Sequence, residues 1–310
     1  MTDTSPLPYR GRFAPSPTGL LHRGSLVAAL ASWLDARAHR GTWLVRIEDI
    51  DPPRDIPGAD RAILDALERF GLVSDEPVLW QHDRYDAYEE ALARLVASGF
   101  VYGCACSRKD VKEADERLGI PYPVYPGPCR SGTNGRAIRA LRFRVPDRMV
   151  AFEDRWYGQY TQNVEKAVGD FVVKRADGLW AYQLAVVTDD IASGVTDVVR
   201  GADLLDNTPR QIWRTEALGA RAPRYMHLPL VLNDRGEKLS KQQGATPVDA
   251  TNPLSELERA ARHLGLPHIG ADSTEAFLTA AVPLWAERIA SLPVKGNEAE
   301  AIEPVEKGSA

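Results

Sequence analysis

The sequence predicts an α/β fold, a doubly wound and mainly parallel sheet divided by a cysteine-bearing insertion and followed by a short helical C-terminal region. Three observations lead there. The chain opens on a strand–loop–helix–strand pattern, its middle is turn-rich and holds every cysteine, and alternating strand and helix textures return near Asp170.

Taken in order, residues 11–14 form a short strand that Pro15, Pro17 and Gly19 break. Residues 25–39, rich in Ala and Leu, carry a helical apolar period. The segment 42–47 (TWLVRI) is β-branched and aromatic and ends on the acidic residues Glu48, Asp49 and Asp51. Strand, helix and strand in this order imply a parallel βαβ unit. Helical patterns follow at 59–70 and 87–98, completing the first half of the core over residues 1–101. Residues 102–160 contain short strands and many turns and read as an insertion. The second half spans 161–235 and includes FVVKR, LAVVTDD, VTDVVRG and a helix near 209–218. Residues 236–300 hold a KLSKQ loop and a proline-punctuated helical region, and 301–310 read as a disordered tail.

Composition narrows the class. Hydrophobic residues at 44% and charged residues at 26% belong to a globular chain. The sequence contains no apolar run of about 18 residues, and its N-terminus MTDTSPLPYR lacks the apolar centre of a secretory signal, so a cytoplasmic protein with no membrane segment is expected. The net charge of −5 argues against general coating of nucleic acid. Arg130, Arg136, Arg139, Arg142, Arg144 and Arg148 do lie close together, and alternation puts Arg142 and Arg144 on one strand face. A solvated face and an RNA contact explain that stretch equally well.

Two segments carry chemistry. In PSPTGLLHRGS (Pro15 to Ser25) a loop feeds a helix start, whose unpaired N–H groups suit a phosphate. Gly24 permits close approach of a ligand to the backbone, and His22 can donate a hydrogen bond whichever ring nitrogen holds the proton. In EKLSKQ (Glu237 to Gln242), Lys238 and Lys241 flank a Leu–Ser pair, and an ammonium on a loop can follow charge building on a leaving pyrophosphate. Alone, the histidine reads as structural and the lysines as solubilising.

Together these segments resemble the HIGH-type and KMSKS-type signatures of class I aminoacyl-tRNA synthetases. RFAPSPTGLLH followed by LVRIEDIDPPR, and later LAVVTDD, VVRGADLL and HLPLVLN, resemble the glutamyl and glutaminyl branch, specifically its short glutamyl-tRNA-synthetase-like members, over roughly residues 9–245. The chain departs from the pattern in Ser25, which replaces the last histidine of the first signature, and in Leu239 and Gln242 of the second. The hydroxyl can still donate, and Leu for Met conserves volume.

The resemblance implies a Rossmann-like catalytic core that activates glutamate with ATP and Mg²⁺. His22 and Lys241 would be catalytic, and Pro15, His22, Gly24, Ser25, Lys238, Ser240 and Lys241 would hold ATP. Arg12, Phe13, Ala14, Pro15 and Ser16 would line the amino acid, with Arg12 on a carboxylate, Glu48 on the ammonium, and Tyr182 and Arg200 completing the pocket. That assignment suits glutamate, since a guanidinium grips a carboxylate bidentately and a buried acid pairs with an ammonium.

Cys104, Cys106 and Cys129 offer three thiolates where structural zinc takes four ligands. The insertion holds no histidine, so an oxygen, a water or a distant group must complete the set; otherwise the cysteines simply pack. The family pattern implies Tyr125 as the fourth ligand of one structural Zn²⁺. Under about 70 residues follow the KLSKQ loop, fewer than a usual domain of about 100–150, so no anticodon-binding domain is expected; the protein is expected to be a monomer. The resemblance then implies that glutamate passes to queuosine in the anticodon of tRNA(Asp). The competing readings are a truncated glutamyl-tRNA synthetase charging the 3′ end of tRNA, and a catalytically inactive RNA-binding or regulatory relative.

Overall fold

The computed structural model describes residues 7–119, 123–231 and 247–292. Strand β2 (Thr42–Ile47) is buried along nearly its whole length, as a strand covered on both faces must be. It pairs in parallel with β1 (Arg10–Phe13) on one side and β3 (Leu79–Trp80) on the other. Helix α1 (Arg23–Ala38) makes the crossover from β1 to β2 and buries residues around its circumference, including Leu26, Leu30 and Leu34. A helix apolar on all sides needs cover on all sides. Beyond the sheet, α1 is covered by α8 (Pro253–His263) and α9 (Thr274–Ala290).

The second half supplies β9 (Asp197–Gly201) and β10 (Arg224–Leu228), again parallel. Strand β9 abuts β1, the Thr196 N–H donating to the Arg10 carbonyl at 2.9 Å. The two parallel groups therefore lie side by side, and their strand ends face one cleft. The LAVVTDD run lies in helix α6 (Tyr182–Ala192), followed by α7 (Thr208–Ala217). With α3 (Tyr85–Ala97), these helices enclose a second core around Tyr88, Leu184 and Ile212, while the first centres on α1 and Trp43.

Between the halves, the expected insertion divides its loyalties. Strands β4 (Val101–Cys104) and β5 (Ala140–Phe143) form an antiparallel sheet, with α4 (Arg108–Leu118) between them in sequence. That sheet takes its third strand from β8 (Phe171–Lys174), beyond residue 160. The hairpin of β6 (Met149–Asp154) and β7 (Gly158–Asn163) instead extends the core sheet, β6 pairing with β10. Alternation marks a strand but not its partner, so a boundary drawn from texture at 160 does not follow the sheets. Among the described residues no helix is long and apolar enough to cross a membrane.

Candidate active site

In a parallel sheet with crossover helices, ligands bind beyond the carboxyl ends of the strands. Here Phe13 closes β1, Glu48 follows β2, Arg200 lies near the end of β9 and Leu228 closes β10, and all four line one cleft of about 510 Å³. The cleft also takes in Arg12, Ala14, Pro15 and Ser16 from the β1 side, His22, Gly24 and Ser25 from the start of α1, and Tyr182 from α6. Every described residue expected to bind glutamate or ATP therefore reaches the same space.

The charges beneath this cleft form a closed set. Asp190, on α6, accepts from Arg46 Nη1 at 2.7 Å and from Arg12 Nε at 3.2 Å. Arg46 Nη2 donates in turn to Glu48 Oε1 at 3.2 Å. Two guanidiniums and two carboxylates balance, which lets all four remain ionised under the sheet's edge. Burial works against ionisation of Asp190, but Arg12 and Arg46 hold its carboxyl below the ordinary range. Glu48 goes the other way: burial raises it despite the same two arginines. An incoming ammonium would favour the charged form of Glu48.

Arg200 is buried, with Nε donating to His227 Nε2 at 3.1 Å and Nη2 to Thr208 Oγ1 at 2.8 Å. Its Nη1 is buried without a partner among the described residues. Leaving a buried donor unpaired is costly, so such a group in a cleft wall is suited to accepting an anion. Tyr182, the first residue of α6, both lines the cleft and packs against the second core, and burial raises its phenol.

His22 caps α1 with an extended backbone, and its ring accepts the Ser25 N–H at 3.3 Å. Ser25 Oγ lies 3.0 Å from His22 Nε2, so the hydroxyl that replaces the family histidine contacts the remaining one. Lys238, Ser240 and Lys241 lie outside the described residues. On either side of their segment, Val231 lines the cleft and Pro247 pairs in a β-bridge with His22.

A second constellation sits in the β4–β5 region. The Sγ atoms of Cys104, Cys106 and Cys129 all lie within 4.8 Å of one another, a set that could hold a metal ion. For comparison, four sulfurs around tetrahedral zinc at 2.3 Å would stand about 3.8 Å apart. The Tyr125 hydroxyl lies 3.2 Å from Cys104 Sγ and 3.8 Å from Cys106 Sγ. Gly169 lets the chain pass Tyr125 closely, since a side chain there would meet the Tyr125 carbonyl at 2.1 Å. Arg142 donates to Cys104 Sγ at 3.3 Å and stacks 3.6 Å over the Tyr125 ring, and Arg136 reaches Cys106 Sγ at 3.7 Å. Arg130 pairs with Asp170 and Glu165, Arg144 lies over Tyr102, and Arg148 lies over Trp213. Arg130, Arg142 and Arg144 thus brace this region, whereas Arg136, Arg139 and Arg148 are exposed.

The family model for the catalytic domain of class I tRNA synthetases (E and Q) matches residues 9–257. The chain belongs to that family. A relative from Ralstonia nicotianae named glutamyl-Q tRNA(Asp) synthetase is 58% identical over 294 residues, 92% of this chain and 93% of its own. One of the same name from Burkholderia orbicola is 55% identical, covering 90% and 97%. Among solved structures, a glutamate tRNA ligase from Elizabethkingia meningosepticum in complex with its amino acid superposes with a TM-score of 0.71 at 27% identity, covering 87% of this chain and 64% of that one. The glutamate-tRNA synthetase from Elizabethkingia anophelis gives 0.66 at 29% identity, covering 76% and 53%. The chain spans less than two-thirds of either longer synthetase.

For a member of this family, sequence reading missed Arg46, Asp190, Thr208, His227 and Asp154. Arg46 left a signal, a lone charge in the buried strand TWLVRI two positions from Glu48 and on the same face. His227 opens the HLPLVLN motif, but nothing in the sequence tied it to Asp154, 73 residues away.

Proposed function

We propose that this protein adenylates L-glutamate with ATP, without needing tRNA, and passes the glutamyl group to queuosine in the anticodon of tRNA(Asp). The observation that carries the first step is the convergence of Arg12, Glu48 and Arg200 with the α1 start in one cleft. Glutamate has two carboxylates and one ammonium, and the cleft offers guanidiniums and a carboxylate in matching kind. The α-carboxylate attacks the α-phosphorus of ATP, a P–O bond to the bridging oxygen breaks, and pyrophosphate leaves with its electrons. His22 and the N–H groups at the α1 start, near Gly24 and Ser25, would stabilise the phosphates, and Lys241, with Lys238 and Ser240, would follow the leaving group. The positions of Val231 and Pro247 support that assignment, since both ends of the intervening segment stand beside the cleft. Mg²⁺ accompanies ATP and offsets charge on the phosphates. In the second step a hydroxyl of the queuosine cyclopentene attacks the glutamyl carbonyl and AMP leaves.

Zn²⁺ fits the cysteine cluster in donor type and spacing. Cys104, Cys106 and Cys129 would hold it with Tyr125 as the fourth ligand, cross-linking β4 to the turn at 125–129 in a structural role. The acceptor rests on the relatives' printed name at 54–58% identity over about nine-tenths of the chain. ATP and tRNA as substrates support a reaction in the cytoplasm. Charging of the 3′ end of tRNA, as by a truncated glutamyl-tRNA synthetase, is the alternative acceptor, and the relatives' names do not favour it.

Radiolabelled glutamate offered to tRNA(Asp) with and without queuosine, and to tRNA(Glu), separates the two. Labelling confined to queuosine-bearing tRNA(Asp) is expected; labelling of tRNA(Glu) alone would exclude the proposal. Glutamate-dependent ATP–pyrophosphate exchange in the absence of tRNA tests the first step by itself.

A further inference from the structure

Behind Arg200 lies a buried chain of polar groups that does not line the cleft. His227 on β10 and Asp154 on β6 are both fully buried, and His227 Nδ1 lies 2.6 Å from Asp154 Oδ2. Asp154 is itself fixed: it accepts the backbone N–H of Trp156 at 3.0 Å, of Tyr157 at 2.9 Å and of His227 at 3.0 Å. A carboxylate can only accept, so Nδ1 of His227 carries the proton and donates to it. Nε2 then presents a lone pair, and it faces Arg200 Nε at 3.1 Å, with Thr208 Oγ1 also at 3.1 Å. The Thr208 hydroxyl oxygen takes the Nη2 proton of Arg200 at 2.8 Å. Two of the three guanidinium nitrogens are thereby held from behind, and the third, Nη1, is buried and has no partner among the described residues in the wall of the cleft.

We propose that His227, locked in one tautomer by Asp154, is a positioning residue that with Thr208 aims the free Nη1 edge of Arg200 at the side-chain carboxylate of glutamate and so sets glutamate-over-glutamine discrimination. The inference deepens the reading of the cleft as a glutamate site and rests on it. The imidazole works only as a neutral acceptor: an Nε2–H would point one donor at another and turn the guanidinium away. Burial and the Arg200 charge keep the ring neutral against the pull of Asp154. The arrangement also gives the β6–β7 hairpin a part in amino-acid selection, because the Asp154 carboxylate reaches the pocket through β10. Contacts that orient metal-binding side chains alter affinity about 10- to 100-fold when removed, and a contact that orients a guanidinium should act on the same scale.

The test uses the full chain in glutamate-dependent ATP–pyrophosphate exchange, with glutamate Kd measured in parallel by calorimetry. His227→Leu should raise the KM and Kd for glutamate about 10- to 100-fold, leave the KM for ATP within about threefold, and narrow the kcat/KM ratio of glutamate over glutamine. His227→Gln, whose amide oxygen can take the place of Nε2, should recover most of the loss. Thr208→Val should shift glutamate KM in the same direction by less, and it stands in should His227→Leu fail to fold. Glutamate KM and Kd unchanged in these variants, or glutamate and ATP KM rising together with a lowered melting temperature, would overturn the proposal and leave His227 a packing residue. If the unaltered protein binds glutamate but shows no exchange, the reaction assigned above is overturned, while the binding shifts still decide the role of His227.

Discussion

Arg12 and Arg200 reach the same cleft from different strands, yet their partners differ in kind. Asp190 balances Arg12 with a full negative charge, whereas Arg200 is held by a neutral imidazole, a hydroxyl and a carbonyl. Among the described residues no carboxylate pairs with Arg200, and its charge lies in the cleft wall where an anionic ligand would bind. His227 brings a pH dependence with it. Its folded pKa lies below 6.5, burial being the main cause, with Arg200 adding and Asp154 and Asp203 opposing. Between the folded value and 6.5 the unfolded chain binds more protons, so stability rises with pH across that window. This contribution is complete above about 6.5 and is lost as pH falls through the folded pKa. The urea midpoint should fall on acidification below pH 6.5, and His227→Gln should flatten that part of the profile. His22 admits a different separation. Asparagine is a good N-cap, so His22→Asn should change unfolding free energy by less than about 1 kcal/mol. Loss of the imidazole at the phosphates should lower the exchange rate about 100-fold or more. A urea melt and the exchange assay on the same preparation check both.

The region of α4, β4 and β5 has little apolar core of its own. Its cluster consists of Cys104, Ala105, Val111, Tyr125 and Cys129, so three of its five members are expected metal ligands. Local order at α4 comes from a capping box in which Ser107 and Asp110 exchange hydrogen bonds. A bound Zn²⁺ would supply the cohesion that apolar burial does not. Cys106→Ser should therefore lower bound zinc below one per chain by metal analysis. Amide hydrogen exchange should quicken in residues 101–145 and stay unchanged in α1 and β2. Uniform exchange across the chain, or unaltered zinc content, would count against a structural metal there.

Across the molecule, segments distant in sequence meet at one buried carboxylate. Asp35 on α1 accepts from Tyr9 Oη at 2.6 Å, from both Nη atoms of Arg155 at 2.6 and 2.9 Å, and from Trp285 Nε1 at 3.1 Å. The N-terminal segment, the turn after β6 and helix α9 are thus tied to the central helix. Burial opposes the charge on Asp35, and Arg155 holds its carboxyl below the ordinary range all the same. Asp35→Asn strips Arg155 of its nearer charge partner in a buried site and leaves it Asp197 at 3.9 Å, so the loss should approach but not exceed the roughly 3–5 kcal/mol of a fully broken buried pair. Equilibrium unfolding should register that loss. Glutamate and ATP KM should remain near those of the unaltered protein at temperatures where the variant is folded, because Asp35 does not line the cleft.

Periodicity and punctuation, read along the chain, sufficed for β1, α1 and β2 and for the loop between them, because burial leaves a period in sequence and proline and glycine mark where it breaks. The resemblance of the motifs, not periodicity, nominated Arg12, His22, Glu48 and Arg200, whose positions beside strand ends and a helix start suit a doubly wound sheet. Which strands pair, and which charges meet, was decided only on folding. β8 joins β5 and β6 joins β10 although texture divides them otherwise. Asp190 finds Arg12 178 residues away, and His227 reaches Asp154 and Arg200 from another strand. A side chain's period records which face is covered, not what covers it. Partnership depends on closure of the whole sheet, where the desolvation of each buried charge selects the neighbour that can satisfy it.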